Sequence, residues 1–211
     1  MSVEYKKAME YIERIYEEQD DPKRLDYVAR VSRNDFGSPI TDEAARLFKT
    51  LIHLVRPKRI LEIGTSIGFS TTSMALAART YGGRITTLEI DSSWAEITKN
   101  IFSREGVSDV IDIIVGDASE TIKDFEDETF DIVFQDSAKP LYPVMLDDCI
   151  RVLRKGGLFL VDNTLFPVRS PKEKWSDSLS KIHDFNEMLL KMPVQSTILP
   201  IGTGCTVAVK L

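Results

Sequence analysis

The chain has 211 residues, 43% apolar and 28% charged, with two cysteines and a formal net charge of −6. These values fit one globular domain with a short extension and exclude collagen, low-complexity disorder and a disulfide scaffold. No run of about 18 apolar residues occurs, so no membrane span is expected. The N-terminal stretch is too charged for a secretory signal, and the distant Cys149 and Cys205 lack metal spacing and fit a reducing, cytoplasmic compartment.

Residues 3–18 place Tyr5, Met9, Ile12 and Tyr16 on one helical face. Asp21-Pro22 breaks the chain ahead of a short helix near Arg24–Ser32, and Asn34–Pro39 reads as a loop. Thr41 is the expected N-cap of a helix over Asp42–Val55, with Asp42 and Glu43 favoured at its positive end. Strand-like runs then follow at Arg59–Ile63, Arg84–Ile90, Ile111–Val115, Phe130–Phe134 and Leu158–Val161. Helical stretches near Ser70–Ala78, Ser93–Glu105, Ala118–Phe125 and Tyr142–Leu153 separate them. Apolar strands alternating with helices predict an α/β fold, a mostly parallel sheet covered on both faces. A last helix, Trp175–Lys191, precedes strands at Ser196–Leu199 and Thr206–Lys210, whose short connection forces an antiparallel pair.

In such sheets ligands bind beyond the carboxyl ends of the strands, where strand order reverses. Glu62, Glu89, Asp117, Asp136 and Asp162-Asn163 fall at the ends of five successive predicted strands. After the first strand, Gly64 and Gly68 allow a tight turn and a close ligand approach, and Ser70 opens a helix whose free N–H groups favour an anion. The glycine spacing is not GxGxxG, which argues against NAD, and there is no P-loop lysine. Glu89 is placed to accept from both hydroxyls of a ribose. Asp117 can accept from an adenine amino group or cap the next helix, and the two roles can coexist. Asp136, Asp162 and Asn163 offer oxygen donors alone, a set suited to Mg²⁺, Mn²⁺ or Ca²⁺ rather than zinc. Lys139, three residues beyond Asp136, can take a proton from a coordinated hydroxyl or stabilise the oxyanion.

At Leu61-Glu62-Ile63-Gly64, Phe134-Gln135-Asp136-Ser137-Ala138-Lys139 and Val161-Asp162-Asn163-Thr164-Leu165 the chain resembles the class I S-adenosylmethionine-dependent O-methyltransferases. The branch is the metal-dependent one that holds the catechol and caffeoyl-coenzyme A enzymes and their small bacterial relatives. The resemblance runs from about Ser38 to Leu211. It implies a Rossmann-like seven-stranded, mostly parallel sheet with an antiparallel last strand. The domain would span 37–211, after a helical extension over 1–36. It also implies site roles. Glu62 and Ser70 would hold the amino acid end of S-adenosylmethionine, with the Ile40 backbone closing over it. Glu89 would bind the ribose, and Asp117, Ala118 and Ser137 would surround the adenine. Asp136, Asp162 and Asn163 would hold the cation, and Lys139 would be catalytic.

Three positions depart from the family pattern: Gln135, Ala138 and Thr203, the last where an aspartate is common. They bear on the acceptor more than on methyl transfer. Phe166–Trp175 is the expected variable substrate loop. A catechol-like or caffeoyl-type acceptor fits best, since a vicinal diol can chelate the cation through both oxygens. Some bacterial relatives instead methylate a hydroxylated wobble uridine of tRNA. Residues 165–181 carry four basic and two acidic residues, a thin basic patch, although the acidic total argues weakly against nucleic acid. A non-catalytic scaffold on the same fold is a third reading, against which the full donor set and Lys139 stand. A homodimer is implied by the resemblance.

Overall fold

The computed structural model describes residues 3–19, 21–174 and 176–211. Alternating apolar runs build the sheet as expected. Its strands are β1 (Arg59–Ile63), β2 (Arg84–Glu89), β3 (Ile111–Val115), β4 (Phe130–Gln135), β5 (Leu153–Val161), β6 (Val194–Leu199) and β7 (Cys205–Lys210). They lie in the order β3-β2-β1-β4-β5-β7-β6. β1 through β5 pair in parallel, and β7 pairs antiparallel with both β5 and β6. β7 therefore runs against the other strands. Its position between β5 and β6 brings the connecting turn, Pro200–Gly204, back to the carboxyl end of β5.

The helices are α1 (Val3–Ile15), α2 (Arg24–Arg30), α3 (Asp42–Val55), α4 (Phe69–Ala78), α5 (Ser92–Arg104), α6 (Ala118–Thr121), α7 (Leu141–Val152) and α8 (Asp177–Leu189). Thr41 caps α3, its side chain accepting from the Ala44 N–H. Asp91 caps α5. Strand side chains alternate between two cores. Ile60, Phe134 and Leu160 face one core with Phe48 and Phe69. Leu61, Val133 and Phe159 face the other with Tyr142, Ile182 and Phe185.

Several boundaries move for local reasons. The first helix stops at Ile15 and gives way to a turn. Met9, Ile12 and Tyr16 are half-buried, while the Tyr5 side chain lies outside what is described. The stretch 118–125 is not one helix but a four-residue α6 followed by a 3-10 turn over Ile122–Asp124. β5 begins five residues earlier than its apolar run suggests. Gly156, at φ 70°, lets the strand kink, and its register against β4 shifts between Phe130 and Ile132. The expected helix start at Trp175 lies outside the described residues. α2 joins the core: Tyr27 is buried and meets the Phe69 ring edge-on at 5.3 Å. Among the described residues no helix is long and apolar enough to cross a membrane.

Candidate active site

Strand order reverses between β1 and β4, so the chain leaves these neighbours in opposite directions and opens a crevice at their ends. Gly64 and Asp136 face each other there. Gly64 has φ 103°, and a Cβ on it would overlap the carbonyl oxygen of Asp136. Only glycine fits this junction. The cleft above it measures about 690 Å³, within the ~300–1,000 Å³ of small-molecule sites.

The sequence-predicted residues divide into those that line the cleft and those that stand behind it. Ile40, Gly64, Ser70, Glu89, Asp117, Ala118, Asp136, Ser137, Lys139 and Asn163 are on the wall; Glu62, Gly68 and Asp162 are not. Glu62 is fully buried. Its carboxylate accepts from Ser70 Oγ at 2.5 Å, from Thr87 Oγ1 at 2.7 Å and from Thr71 Oγ1. Glu62 thereby fixes the hydroxyl of Ser70, which reaches the cleft. Burial pushes the Glu62 carboxyl up to about 7, against the pull of its three hydroxyl donors. Gly68, at φ 75°, turns the chain into α4 with no room for a Cβ against the Phe102 ring.

Glu89 is nearly buried at the end of β2. Its Oε2 accepts from the Ser66 N–H at 2.8 Å and its Oε1 from the Asp91 N–H at 3.0 Å. Each carboxylate oxygen keeps a lone pair for a ligand hydroxyl. Asp117 caps α6 through the Ser119 N–H at 2.9 Å, and the Ser119 hydroxyl and N–H hold its carboxyl below its ordinary range. Ser66 Oγ and Ser137 Oγ are buried on this wall with no protein partner among the described residues. Buried hydroxyls of that kind are ordinarily satisfied, so these two fit a polar ligand in the cleft.

The loop before α3 borders the cleft, as expected for Ile40, and it adds Phe36, which with Trp94 of α5 makes two lining residues the sequence did not single out. Arg33 donates to Asp35 at 2.8 Å and to Asp91 at 3.1 Å, and its guanidinium lies 4.6 Å over the Trp94 ring. Phe36 meets Trp94 edge-on at 5.7 Å. Phe36 and Trp94 both line the cleft.

Beyond β4 and β5, Lys139 pairs with Asp136, and Asn163 bonds to Asp162. Lys139 Nζ donates to Asp136 Oδ1 at 3.0 Å, to the Ser137 carbonyl at 3.0 Å and to Tyr142 Oη at 3.1 Å. Tyr142, fully buried one helical turn after Lys139, donates in turn to the Asp162 carbonyl at 3.2 Å. Its spacing from Lys139 is the signal that would have found it. Burial first, then repulsion from Asp136, pushes the Asp162 carboxyl up to about 7. Among the described residues no three His, Cys, Asp or Glu side chains cluster as a metal site. The set here is two carboxylates and a carboxamide. Two carboxylates that repel each other beside a neutral amide oxygen fit a hard divalent cation, which would relieve the repulsion.

The chain is similar to known proteins along most of its length. The family model described as O-methyltransferase matches residues 19–211. A Dictyostelium discoideum protein, "Probable caffeoyl-CoA O-methyltransferase 1", is 28% identical over 176 residues, covering 80% of this chain and 76% of that one. The catechol O-methyltransferase of Niastella koreensis is 30% identical over 165 residues, covering 76% and 74%. The solved structure of TomG, an O-methyltransferase of Streptomyces achromogenes in complex with S-adenosylmethionine, superposes with a TM-score of 0.80 at 26% identity, over 91% of each chain.

Proposed function

The chain belongs to the family of S-adenosylmethionine-dependent O-methyltransferases, and from that premise we propose that it methylates a hydroxyl of a small catechol-like or caffeoyl-type acceptor with the help of a divalent cation. The observation that carries this reading is the placement of Asp136, Asn163 and Lys139 together on the cleft wall, with Asp162 bonded to Asn163 behind them. Mg²⁺, or Mn²⁺ or Ca²⁺, held by Asp136, Asp162 and Asn163, would supply Lewis acidity that lowers the pKa of the acceptor hydroxyl and orients it.

The chain's own residues account for the rest. Glu89 is placed to take the ribose hydroxyls of the donor. Ser70, fixed by Glu62, stands at the N-terminus of α4, where the donor's carboxylate is favoured. Asp117, Ala118 and Ser137, on the cleft wall, are assigned to the adenine. Lys139 donates to three acceptors, which fixes its amine as a positioned charge beside the reacting oxygen. Holding donor and acceptor in line is worth about 7–11 kcal/mol of the barrier in well-oriented systems.

A labelled-methyl assay with catechol, a caffeoyl thioester and tRNA bearing a hydroxylated wobble uridine tests the acceptor. Turnover of a phenolic acceptor that stops on chelation and returns with Mg²⁺ is expected. Asp136→Ala is expected to bind donor and turn over nothing. Full activity of that variant in chelator would refute the metal reading. Transfer to tRNA alone would move the acceptor to the basic stretch around Arg169, whose guanidinium lies 4.1 Å over the Phe166 ring at the cleft wall.

A further inference from the structure

We propose that Thr203, on the turn between β6 and β7, is a positioning residue for the cation site: its hydroxyl sets which way the Asn163 carboxamide faces and braces the Asp162 carboxylate. This rests on the reading of Asp136, Asp162 and Asn163 as cation ligands. Asn163 Nδ2 donates to Asp162 Oδ2 at 2.9 Å and to Thr203 Oγ1 at 2.6 Å. Both amide hydrogens are used by these two acceptors. The planar carboxamide then turns Oδ1, its only atom able to ligate a cation, away from both. The flipped amide would set Oδ1 against the Asp162 carboxylate, acceptor against acceptor. Having accepted from Asn163, the Thr203 hydroxyl keeps its own hydrogen for Asp162, whose Oδ1 and Oδ2 lie 3.4 and 3.5 Å away.

The turn that carries Thr203 is itself fixed to the ligand loop. The Leu165 N–H donates to the Thr203 carbonyl at 3.0 Å, and the Thr164 N–H donates to the Gly204 carbonyl at 3.1 Å. Gly204, at φ 95°, packs so closely on Leu165 that a Cβ there would overlap its backbone nitrogen. Asn163 is held in the left-handed region at φ 65°. The antiparallel insertion of β7 therefore brings a hydroxyl from 40 residues away to the amide and keeps it there. Thr203 does not line the donor cleft, and being uncharged it orients the donors without adding to the repulsion between the two carboxylates. Partners of this kind typically change metal affinity by 10–100-fold when removed.

The test is titration of Mn²⁺ into the full chain, followed by the electron paramagnetic resonance of the free ion. Thermal midpoint and S-adenosylmethionine affinity are recorded on the same samples. Thr203→Val keeps the side-chain volume, and Thr203→Ala removes any crowding a second methyl brings. Both are expected to weaken Mn²⁺ binding by about 10-fold or more. Thr203→Ser is expected to retain near wild-type affinity, and none of the three to change donor affinity. Folded Val and Ala variants that bind Mn²⁺ as tightly as the wild type overturn the inference, as does a Ser variant as weak as Val. A wild-type chain that takes up no Mn²⁺ overturns the ligand assignment itself, a result separable from failure of the Thr203 role.

Discussion

Replacing Glu62 by glutamine isolates a buried titration that the fold imposes. The carboxyl is pushed up to about 7 by burial, from an ordinary value of 4.5. Its folded pKa is raised, so the folded state holds the proton more tightly than the unfolded chain. The stability this group contributes is full below about pH 4.5 and is lost as pH rises through about 7. Between pH 5 and pH 8 the linkage amounts to about 2–3 kcal/mol of lost stability in the wild type, and to nothing in Glu62→Gln. The glutamine has a cost of its own. Its NH₂ cannot accept from one of the three hydroxyls that Ser70, Thr71 and Thr87 aim at the carboxylate. That cost is independent of pH. Urea denaturation of both proteins at pH 5, 6, 7 and 8 measures the difference. Wild-type stability minus that of the variant is expected to fall by about 2–3 kcal/mol across the series. Groups that do not interact with Glu62 contribute alike to both proteins and cancel. Parallel curves from pH 5 to pH 8 would refute the argument, because they would mean that Glu62 stays ionised in the folded state.

Further outcomes concern donor and acceptor separately. Glu89→Gln leaves one carboxylate-type acceptor where there were two. The loss of a charge-assisted hydrogen bond, about 1.5–3 kcal/mol, corresponds to a roughly 10–100-fold weaker donor affinity by calorimetry, and unchanged affinity would remove Glu89 from the ribose role. Lys139→Met removes the fixed charge but keeps the stem. The expected result is a kcat lower by about 10²-fold or more with donor affinity preserved, and a loss confined to KM would make Lys139 a binding residue instead.

Much of the site was legible because strand ends in a parallel sheet are where polar residues collect. Asp136, Asp162-Asn163, Glu89 and Asp117 each follow an apolar run, and Lys139 follows Asp136 at helical spacing. Glu62 was legible as a carboxylate near the first strand's end, but its three hydroxyl partners were not. It lies within β1, two residues after Ile60, so it points to the same face, under α4. The two-residue period of a strand aims it at α4, where Ser70 and Thr71 donate to it and Ser70 also lines the cleft.

The sequence by itself determined the order and kind of the elements and the mostly parallel sheet. These follow from local periodicity, capping residues and the minimum length of a crossover, and each is a property of a few neighbouring residues. The tertiary structure decided which distant residues meet. Its strand order put Gly64 against Asp136, its burial of α7 set Tyr142 between Lys139 and Asp162, and its insertion of β7 beside β5 delivered Thr203 to Asn163. No local period encodes such contacts, because each depends on how the two cores pack the sheet and its helices together.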